Sequence, residues 1–198
     1  MAPVPDATTR LVAFMNAAAA ELARDPSAMS QHISRAMTKT QNAPPALPPA
    51  QMPASRDLPD MLTGAPPGPA QLVAACAGDL HWRVAGFGKL PDVARQKLAV
   101  AELIGPNGLF PAQAVRIGLL IQRQGFHYPK HHHAAPEVYL VVHGTAHWGV
   151  DDTEPTPRKP GSIIHHNAHQ PHQIVTPTEP LLALWGWTGD VGGASYTL

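Results

Sequence analysis

The segment Gly125–Gly144 is the part of this sequence that most restricts how the chain can fold. Side chains two residues apart on a strand share a face, so His131 and His133 project together, as do Glu137 and Tyr139. The aliphatic residues that alternate with them after Glu137 face the other way. Imidazoles and a carboxylate on one face are typical ligands of a divalent metal. The segment therefore predicts a strand-borne metal site backed by a packing face.

A second polar patch lies between Pro160 and His172, after a turn-rich gap. Its four histidines stand at positions 165, 166, 169 and 172, and we expect one of them to supply the remaining metal ligand. Ten of the twelve histidines of the chain lie between His127 and His172. Because the cluster is internal and precedes a patterned strand, it does not resemble an affinity tag.

Length and composition limit the domain count and the class of partner. A chain of 198 residues accommodates one well-cored domain and an appendage. The formal net charge is zero and only 14% of residues are charged, so there is no basic patch for nucleic acid or for membranes. We therefore expect a small-molecule partner. Cys76 is the single cysteine, which excludes sulfur-rich zinc modules, so any metal is held by nitrogen and oxygen.

No apolar stretch reaches the roughly 20 residues that a bilayer-spanning helix needs. The apolar run Leu11–Leu22 follows Asp6 and is interrupted by Asn16 and Glu21, which is atypical of a secretory signal. We interpret this run as an amphipathic helix. The sequence thus predicts a soluble protein, with the cytoplasm as its default compartment.

The N-terminal third consists of helix-forming and proline-rich stretches. Its composition predicts helices at residues 8–24 and 27–38. Nine prolines between Ala43 and Pro69 predict an extended linker or a wrapping arm, with a disordered tether as the alternative. We expect residues 1–60 to contribute no metal ligand.

The remaining residues carry a different pattern. Short helices are predicted at 69–77 and 91–98, and apolar runs broken by turn residues follow them. These runs predict strands at 99–104, 114–122, 137–143, 145–150, 162–165, 173–176 and 181–188. Many short strands at near-regular spacing imply a mainly β antiparallel sandwich or barrel. We therefore divide the chain into a helical extension with its arm, 1–68, and a β domain, 69–198.

The spacing within the first segment resembles the first sequence motif of the cupins. Gly125, His131, His133, Glu137 and Gly144 match that motif at every offset. This resemblance implies a single cupin barrel, which is a double-stranded β-helix or jelly roll, preceded here by a helical N-terminal extension.

The second cupin motif is less regular in this chain. It normally ends in a histidine about eleven residues after a Pro-Gly corner, and Pro160-Gly161 followed by Pro171-His172 fits that placement. The resemblance then implies His131, His133, Glu137 and His172 as ligands of one divalent metal. His165, His166 and His169 crowd the motif and leave the fourth ligand open, and His131 is either a ligand or a substrate contact.

Within the cupins the chain resembles the bacterial dimethylsulfoniopropionate (DMSP) lyases, particularly the DddQ type. The resemblance rests on Tyr128-Pro-Lys-His131, on Glu137-x-Tyr139 and on the closing stretch Leu184–Asp190. It implies β-elimination of a small sulfonium carboxylate to dimethyl sulfide and acrylate. A carboxylate at an open metal position would acidify the neighbouring C–H. Tyr139, beside the metal, would be the base.

The same resemblance implies a pocket for the sulfonium group. Aromatic faces attract such cations, and Trp185 and Trp187 share one face of their strand. Tyr128 and His131 are further substrate contacts in this interpretation. For both tryptophans, plain core packing is the alternative.

Three questions stay open at the level of sequence. The same ligands would serve a cupin dioxygenase or sugar isomerase, or a small-ligand-binding cupin without catalysis. Nitrogen and oxygen ligation favours zinc or iron and also suits manganese, nickel or cobalt. The oligomeric state is undetermined, with a homodimer as one option.

Overall fold

The structure is a computed structural model that describes residues 5–39 and 44–198. Five α-helices precede or join the strands: α1 Ala7–Leu22, α2 Ala28–Lys39, α3 Leu58–Met61, α4 Pro69–Cys76 and α5 Ala94–Lys97. The two long helices lie within two residues of their predicted bounds. The predicted helix at 91–98 is one turn long, because the chain extends at Leu98 and continues into a strand.

The described residues form eleven strands, seven of which correspond to predicted strands. The eleven strands are β1 Trp82–Arg83, β2 Leu98–Gly105, β3 Phe110–Pro111, β4 Val115–Gln122, β5 Phe126–His131, β6 Glu137–His143, β7 Ala146–Val150, β8 Thr156–Arg158, β9 Ile163–His166, β10 His172–Thr176 and β11 Leu181–Thr188. The predicted strands did not include β5, which carries Pro129. They also did not include β1, β3 or β8, which are two or three residues long and lack a detectable alternation.

The strands form two sheets that face each other. The larger sheet has the order β1-β2-β4-β11-β6-β9, with β3 added beside β2, and the smaller has the order β5-β10-β7-β8. Tyr139 and Trp185 from the larger sheet pack with Trp148 and Ile174 from the smaller one in the space between them. The prediction of a mainly β cupin jelly roll is confirmed.

The helices cover the outer face of the larger sheet. Val138, Leu140 and Val142, which alternate with the polar residues of β6, pack there in one apolar cluster with buried side chains of α1, α2 and α4. Ile33 of α2 lies against Gly186, where an added Cβ would come within 3.0 Å of three of its side-chain carbons. The alternation in β6 therefore separates an outer structural core from an inner polar face.

The proline-rich arm is packed against the protein over its described part, 44–69. Leu58 and Leu62 are buried in the outer cluster, and Asp57 forms an ion pair with Arg123. Ala43, the first residue of the predicted arm, lies outside the described residues. The apolar core runs across residue 68, and the division of the chain at that point stays a prediction.

Within the part of the chain that the structure describes, no helix combines the length and apolar character needed to cross a bilayer.

Gly144, the last residue of the first motif, is required by the turn between β6 and β7. Its φ is +78°, and a Cβ added there would lie 1.9 Å from the carbonyl oxygen of Pro180. We expect Gly144→Ala to lower the free energy of unfolding by about 2–4 kcal/mol, because a left-handed backbone and a backbone clash add together. Urea unfolding followed by circular dichroism measures this difference.

Gly161 provides a matched control. It also has a positive φ, +85°, but an added Cβ meets no atom within 4 Å among the described residues. Gly161→Ala should therefore cost only the conformational term, about 1–2 kcal/mol. Equal losses in the two variants would contradict the steric explanation.

Candidate metal centre

Three metal-ligating side chains converge between the two sheets. Glu137 begins β6 and points inward, His133 lies in the turn just before it, and His172 begins β10 on the opposite sheet. All three are at least 98% buried. One ligand atom from each lies within 4.8 Å of the others. Nonlocal pairing of β5 with β10, which sets His172 opposite His131, brings the two histidine-rich segments together.

Hydrogen bonds hold the two imidazoles in the same orientation. Nδ1 of His133 lies 2.8 Å from the carbonyl oxygen of Ala135, and Nδ1 of His172 lies 2.9 Å from that of Gln170. A neutral imidazole ring that donates its Nδ1 proton to a carbonyl presents an unprotonated Nε2 on its other side. Both Nε2 atoms lie 3.2 Å from Oε2 of Glu137.

The donor set fits a divalent cation. Nε2 of His172 is buried and has no hydrogen-bond partner among the described residues, although it faces the Glu137 carboxylate. Two imidazole nitrogens and one carboxylate oxygen are ligands of zinc, iron and related metals. A cation at this point would satisfy the orphaned nitrogen and balance the buried carboxylate. The cluster is thus a candidate metal site.

The charges of the three groups are coupled. Burial raises the pKa of Glu137, but a hydrogen bond from His133 and the charges of His133 and His172 outweigh it and hold that pKa well below its usual value. Burial lowers the pKa of His133, and the Glu137 carboxylate reverses this, so the net pKa is raised. In the absence of a cation, the Glu137 carboxylate therefore stabilises the positively charged form of His133.

His131 lies beside the cluster without belonging to the three-residue group. Its ring stacks on Tyr128 with centroids 4.1 Å apart and lies 4.2 Å from the ring of His172. Burial, followed by the charge of His172, lowers its pKa well below the usual value, so the ring is neutral. Its position is compatible with either role predicted from the sequence, and both stay predictions.

Tyr139 occupies the same inner face as Glu137, as the alternation predicts. Its ring packs edge-on against Trp148 at 5.0 Å and lies 6.5 Å from the ring of His172. Burial raises the pKa of its phenol well above the usual value, and the negative charge of Glu137 raises it further. A positive charge beside Glu137 would oppose the second effect.

Trp187 and Trp185 both reach the cavity from β11, but their indole N–H groups differ. Trp187 donates to Oε1 of Glu137 at 2.7 Å, and its ring lies 4.0 Å from that of His133. The Nε1 of Trp185 is buried and has no partner among the described residues. Trp187 therefore orients the carboxylate, a contact that the sequence does not predict, in addition to forming part of the wall.

This difference gives a prediction for metal affinity. Replacing Trp187 with phenylalanine removes the N–H that holds Glu137, and loss of such a contact typically weakens metal binding about 10–100-fold. Trp185→Phe makes the same chemical change where there is no hydrogen bond, so its metal affinity should stay within a few-fold of wild type. Competition with a chromophoric chelator measures both. Equal affinities in the two variants would contradict the orienting role.

A cavity of about 170 Å³ opens beside the cluster. All of the predicted site residues except His172 line it. The cavity also contains residues that the sequence did not indicate, among them Phe87, Arg116 and Tyr196. The Tyr196 phenol lies 3.0 Å from that of Tyr128, which links the C-terminus to β5. No local motif marks these three residues, because they come from separate parts of the chain.

The other histidines of the second patch lie outside the cluster. His165 is at the surface and pairs with Asp25 at 2.8 Å. His169 is exposed, and only its backbone N–H approaches the site, donating to the carbonyl of His133 at 2.7 Å. His166 is buried and stacks on His172 at 4.0 Å, with its Nε2 accepting a hydrogen bond from Trp148.

The chain has relatives among known proteins. Residues 27–183, more than half of the chain, match the family model of dimethylsulfoniopropionate lyase. A curated relative, dimethylsulfoniopropionate lyase DddQ of Ruegeria pomeroyi, is 29% identical over 149 residues, which cover 75% of this chain and 73% of the relative. A second relative, from Cereibacter sphaeroides, is provisionally named dimethylsulfoniopropionate lyase DddL. It is 32% identical over 129 residues. That match covers 64% of this chain and spans about half, 53%, of the DddL relative.

Two solved structures share the fold over nearly the whole chain. The crystal structure of DMSP lyase DddQ from Ruegeria pomeroyi DSS-3 superposes with a TM-score of 0.74 at 23% identity, covering 97% of this chain and 95% of that one. A chain from the crystal structures of the DMSP lyases RdDddP and RnDddQII also gives 0.74, at 22% identity, with coverage of 98% and 99%. The helical layer is therefore part of the shared architecture.

Proposed function

The chain belongs to the dimethylsulfoniopropionate lyase family, and from this we propose that it is a metal-dependent carbon–sulfur lyase. Its substrate would be DMSP, cleaved to dimethyl sulfide and acrylate by β-elimination. The observation that carries the proposal is that a phenol, Tyr139, lines a small aromatic cavity together with His133 and Glu137, two members of a buried cluster of potential metal ligands.

The proposed metal ligands are His133, Glu137 and His172, with His131 as either a fourth ligand or a substrate contact. A bound divalent cation supplies Lewis-acid chemistry, drawing electron density from a substrate carboxylate so that the adjacent C–H becomes more acidic. Zinc and iron suit this donor set best, and manganese, nickel or cobalt are compatible with it. The family implies a small-molecule substrate. A homodimer and a cytoplasmic location stay predictions from the sequence.

Tyr139 is the proposed general base. Its deprotonated phenol takes the proton from the carbon next to the substrate carboxylate, and a double bond forms as the bond to sulfur breaks. The electron pair of that bond leaves with sulfur, so neutral dimethyl sulfide departs without needing a general acid. The buried position of Tyr139 between the sheets keeps bulk water away from the reacting carbon.

Trp185, Trp187 and Tyr128 are the proposed wall for the sulfonium group. The two indole rings lie 5.8 Å apart at 63°, and the Tyr128 ring lines the same cavity. Aromatic faces stabilise a nearby cation by about 0.5–2 kcal/mol each. We expect changes in this wall to act on substrate affinity more than on turnover, because the contact exists before the reaction starts.

The test is direct assay of the protein loaded separately with zinc and with iron. Incubation with DMSP should release dimethyl sulfide, detected in the headspace, and an equal amount of acrylate, detected by proton NMR. Chelator-treated protein should be inactive and regain activity when metal is restored. Activity with zinc in the absence of oxygen would exclude a dioxygenase. A protein inert toward DMSP with every metal would reject the proposed function.

A further inference from the structure

The lining of the cavity includes a buried arginine that the proposed chemistry does not use. Arg116 lies on the inner face of β4, in register with Trp187 on β11, and its side chain is 3% exposed. It lines the cavity together with Phe87, whose ring centroid is 5.3 Å from the guanidinium carbon. A buried guanidinium group beside an aromatic ring needs an anion to balance its charge.

The only anion paired with Arg116 among the described residues is already occupied. Glu102, on β2, accepts a hydrogen bond at Oε2 from Arg83 and another at Oε1 from the backbone N–H of Asn107 at 3.0 Å. Nε of Arg116 is 3.5 Å from Oε2, which is an ion-pair contact too long for a good hydrogen bond. Two guanidinium groups thus share one carboxylate and leave one net positive charge.

The hydrogen-bonding capacity of Arg116 is also unused. Its Nε and Nη1 atoms are buried and have no hydrogen-bond partner among the described residues. Buried donors without acceptors are costly, and native proteins rarely keep them unless water, an ion or a ligand completes them. The side chain borders the cavity, so an acceptor held there would be the nearest new partner for its guanidinium group.

We propose that Arg116 helps to hold the carboxylate group of a small monocarboxylic acid in this cavity, the same carboxylate that a cation bound by His133 and Glu137 would polarise. Its planar guanidinium presents paired donors that match a carboxylate, and the excess positive charge favours an anion over a cation of similar size. The identity of the acid as DMSP, or as the product acrylate, rests on the proposed function. Arg116 would then make the pocket selective for sulfonium compounds that carry a carboxylate.

The test compares two unreactive probes on metal-loaded protein by calorimetry: propanoate, which has the carboxylate only, and trimethylsulfonium, which has the cation only. In Arg116→Met we expect propanoate affinity to fall at least 10-fold, because a charge-assisted contact is lost. Trimethylsulfonium affinity should stay equal or increase, since a repelling charge has been removed. Arg116→Lys keeps the charge without the paired geometry and should be intermediate for propanoate.

Two controls separate binding from folding. Arg95→Met removes an exposed arginine paired with Asp92 outside the cavity, and both affinities should remain at wild-type values. Arg116→Met should keep its melting temperature and metal content, because Glu102 still has Arg83 as a partner and is not left as an uncompensated buried charge.

Unchanged propanoate affinity in Arg116→Met would overturn the proposal, and so would an equal loss for both probes, which indicates a structural role. These measurements need no turnover. If the protein fails to cleave DMSP but propanoate binding still depends on Arg116, the carboxylate site stands and the substrate assignment falls. If DMSP is cleaved and propanoate binding is independent of Arg116, the substrate assignment stands and the carboxylate site at Arg116 is rejected.

Discussion

Replacing Glu137 or His133 with alanine should remove most of the bound metal and reduce activity more than 100-fold. Each variant deletes one of the three ligand atoms clustered among the described residues, and loss of even a supporting contact typically costs 10–100-fold in metal affinity. Removal of Glu137 also deletes the charge around which both histidines are arranged. Metal content after dialysis, measured by plasma emission spectroscopy, tests the prediction alongside the DMSP assay.

Histidine variants outside the cluster provide the controls. His147→Ala, on β7, changes a partly exposed imidazole and should keep full metal content. His172→Ala should lose metal, whereas His169→Ala should retain it, because the His169 side chain is exposed. Full metal content in both Glu137→Ala and His133→Ala would reject this site. Loss in His169→Ala with retention in His172→Ala would reject only the assignment of His172 as a ligand.

Tyr139→Phe should lower turnover by about 10²–10⁴-fold while metal content stays near normal. The change removes only the phenolic oxygen, which is the proposed base, and general-base catalysis typically contributes a factor of that size. The ring, which packs against Trp148, is retained, so the pocket should keep its shape. Steady-state kinetics on the metal-loaded variant should show the loss in kcat, with KM changed by less than 10-fold.

Tyr196→Phe is the matched control for Tyr139→Phe. It removes a phenol that lines the same cavity and contacts the phenol of Tyr128 at 3.0 Å. Since Tyr196 has no proposed part in proton transfer, we expect a smaller effect, mainly on KM. Exchange of solvent deuterium into the α-position of DMSP would further support a carbanion. A Tyr139→Phe enzyme with wild-type turnover would eliminate this base.

The metal-ligating cluster could be foreseen because its chemistry is encoded locally. Glu137 and Tyr139 are two residues apart on a strand, and the structure places β6 at the predicted bounds with both side chains on the inner face. Tertiary packing decides which histidine of the second patch joins them. The β5–β10 pairing sets His172 opposite His131. The spacing from Pro160-Gly161 to Pro171-His172 indicated His172 only through the family resemblance, because strand alternation alone does not distinguish it from His169.

Other parts of the site depend on contacts that sequence alone does not reveal. Trp187 was predicted as an aromatic wall, whereas its N–H bond to Glu137 requires the β11–β6 register, in which the two residues are paired. Phe87, Arg116 and Tyr196 enter the cavity from a turn, a strand and the C-terminal segment. No sequence motif surrounds any of these three residues, so their place in the cavity is visible only in the folded chain.

Gly186 joins the helical layer to the pocket through the thickness of one strand. Trp185 and Trp187 on either side of it point into the cavity, while its own outer face receives Ile33 of α2. A larger or smaller side chain at position 33 of α2 would therefore shift the backbone of β11 directly, because Gly186 has no side chain that could adjust. That shift would move the neighbouring Trp185 and Trp187. In a directed-evolution experiment selecting for bulkier sulfonium substrates, beneficial substitutions should therefore arise on α2 as well as in the pocket itself.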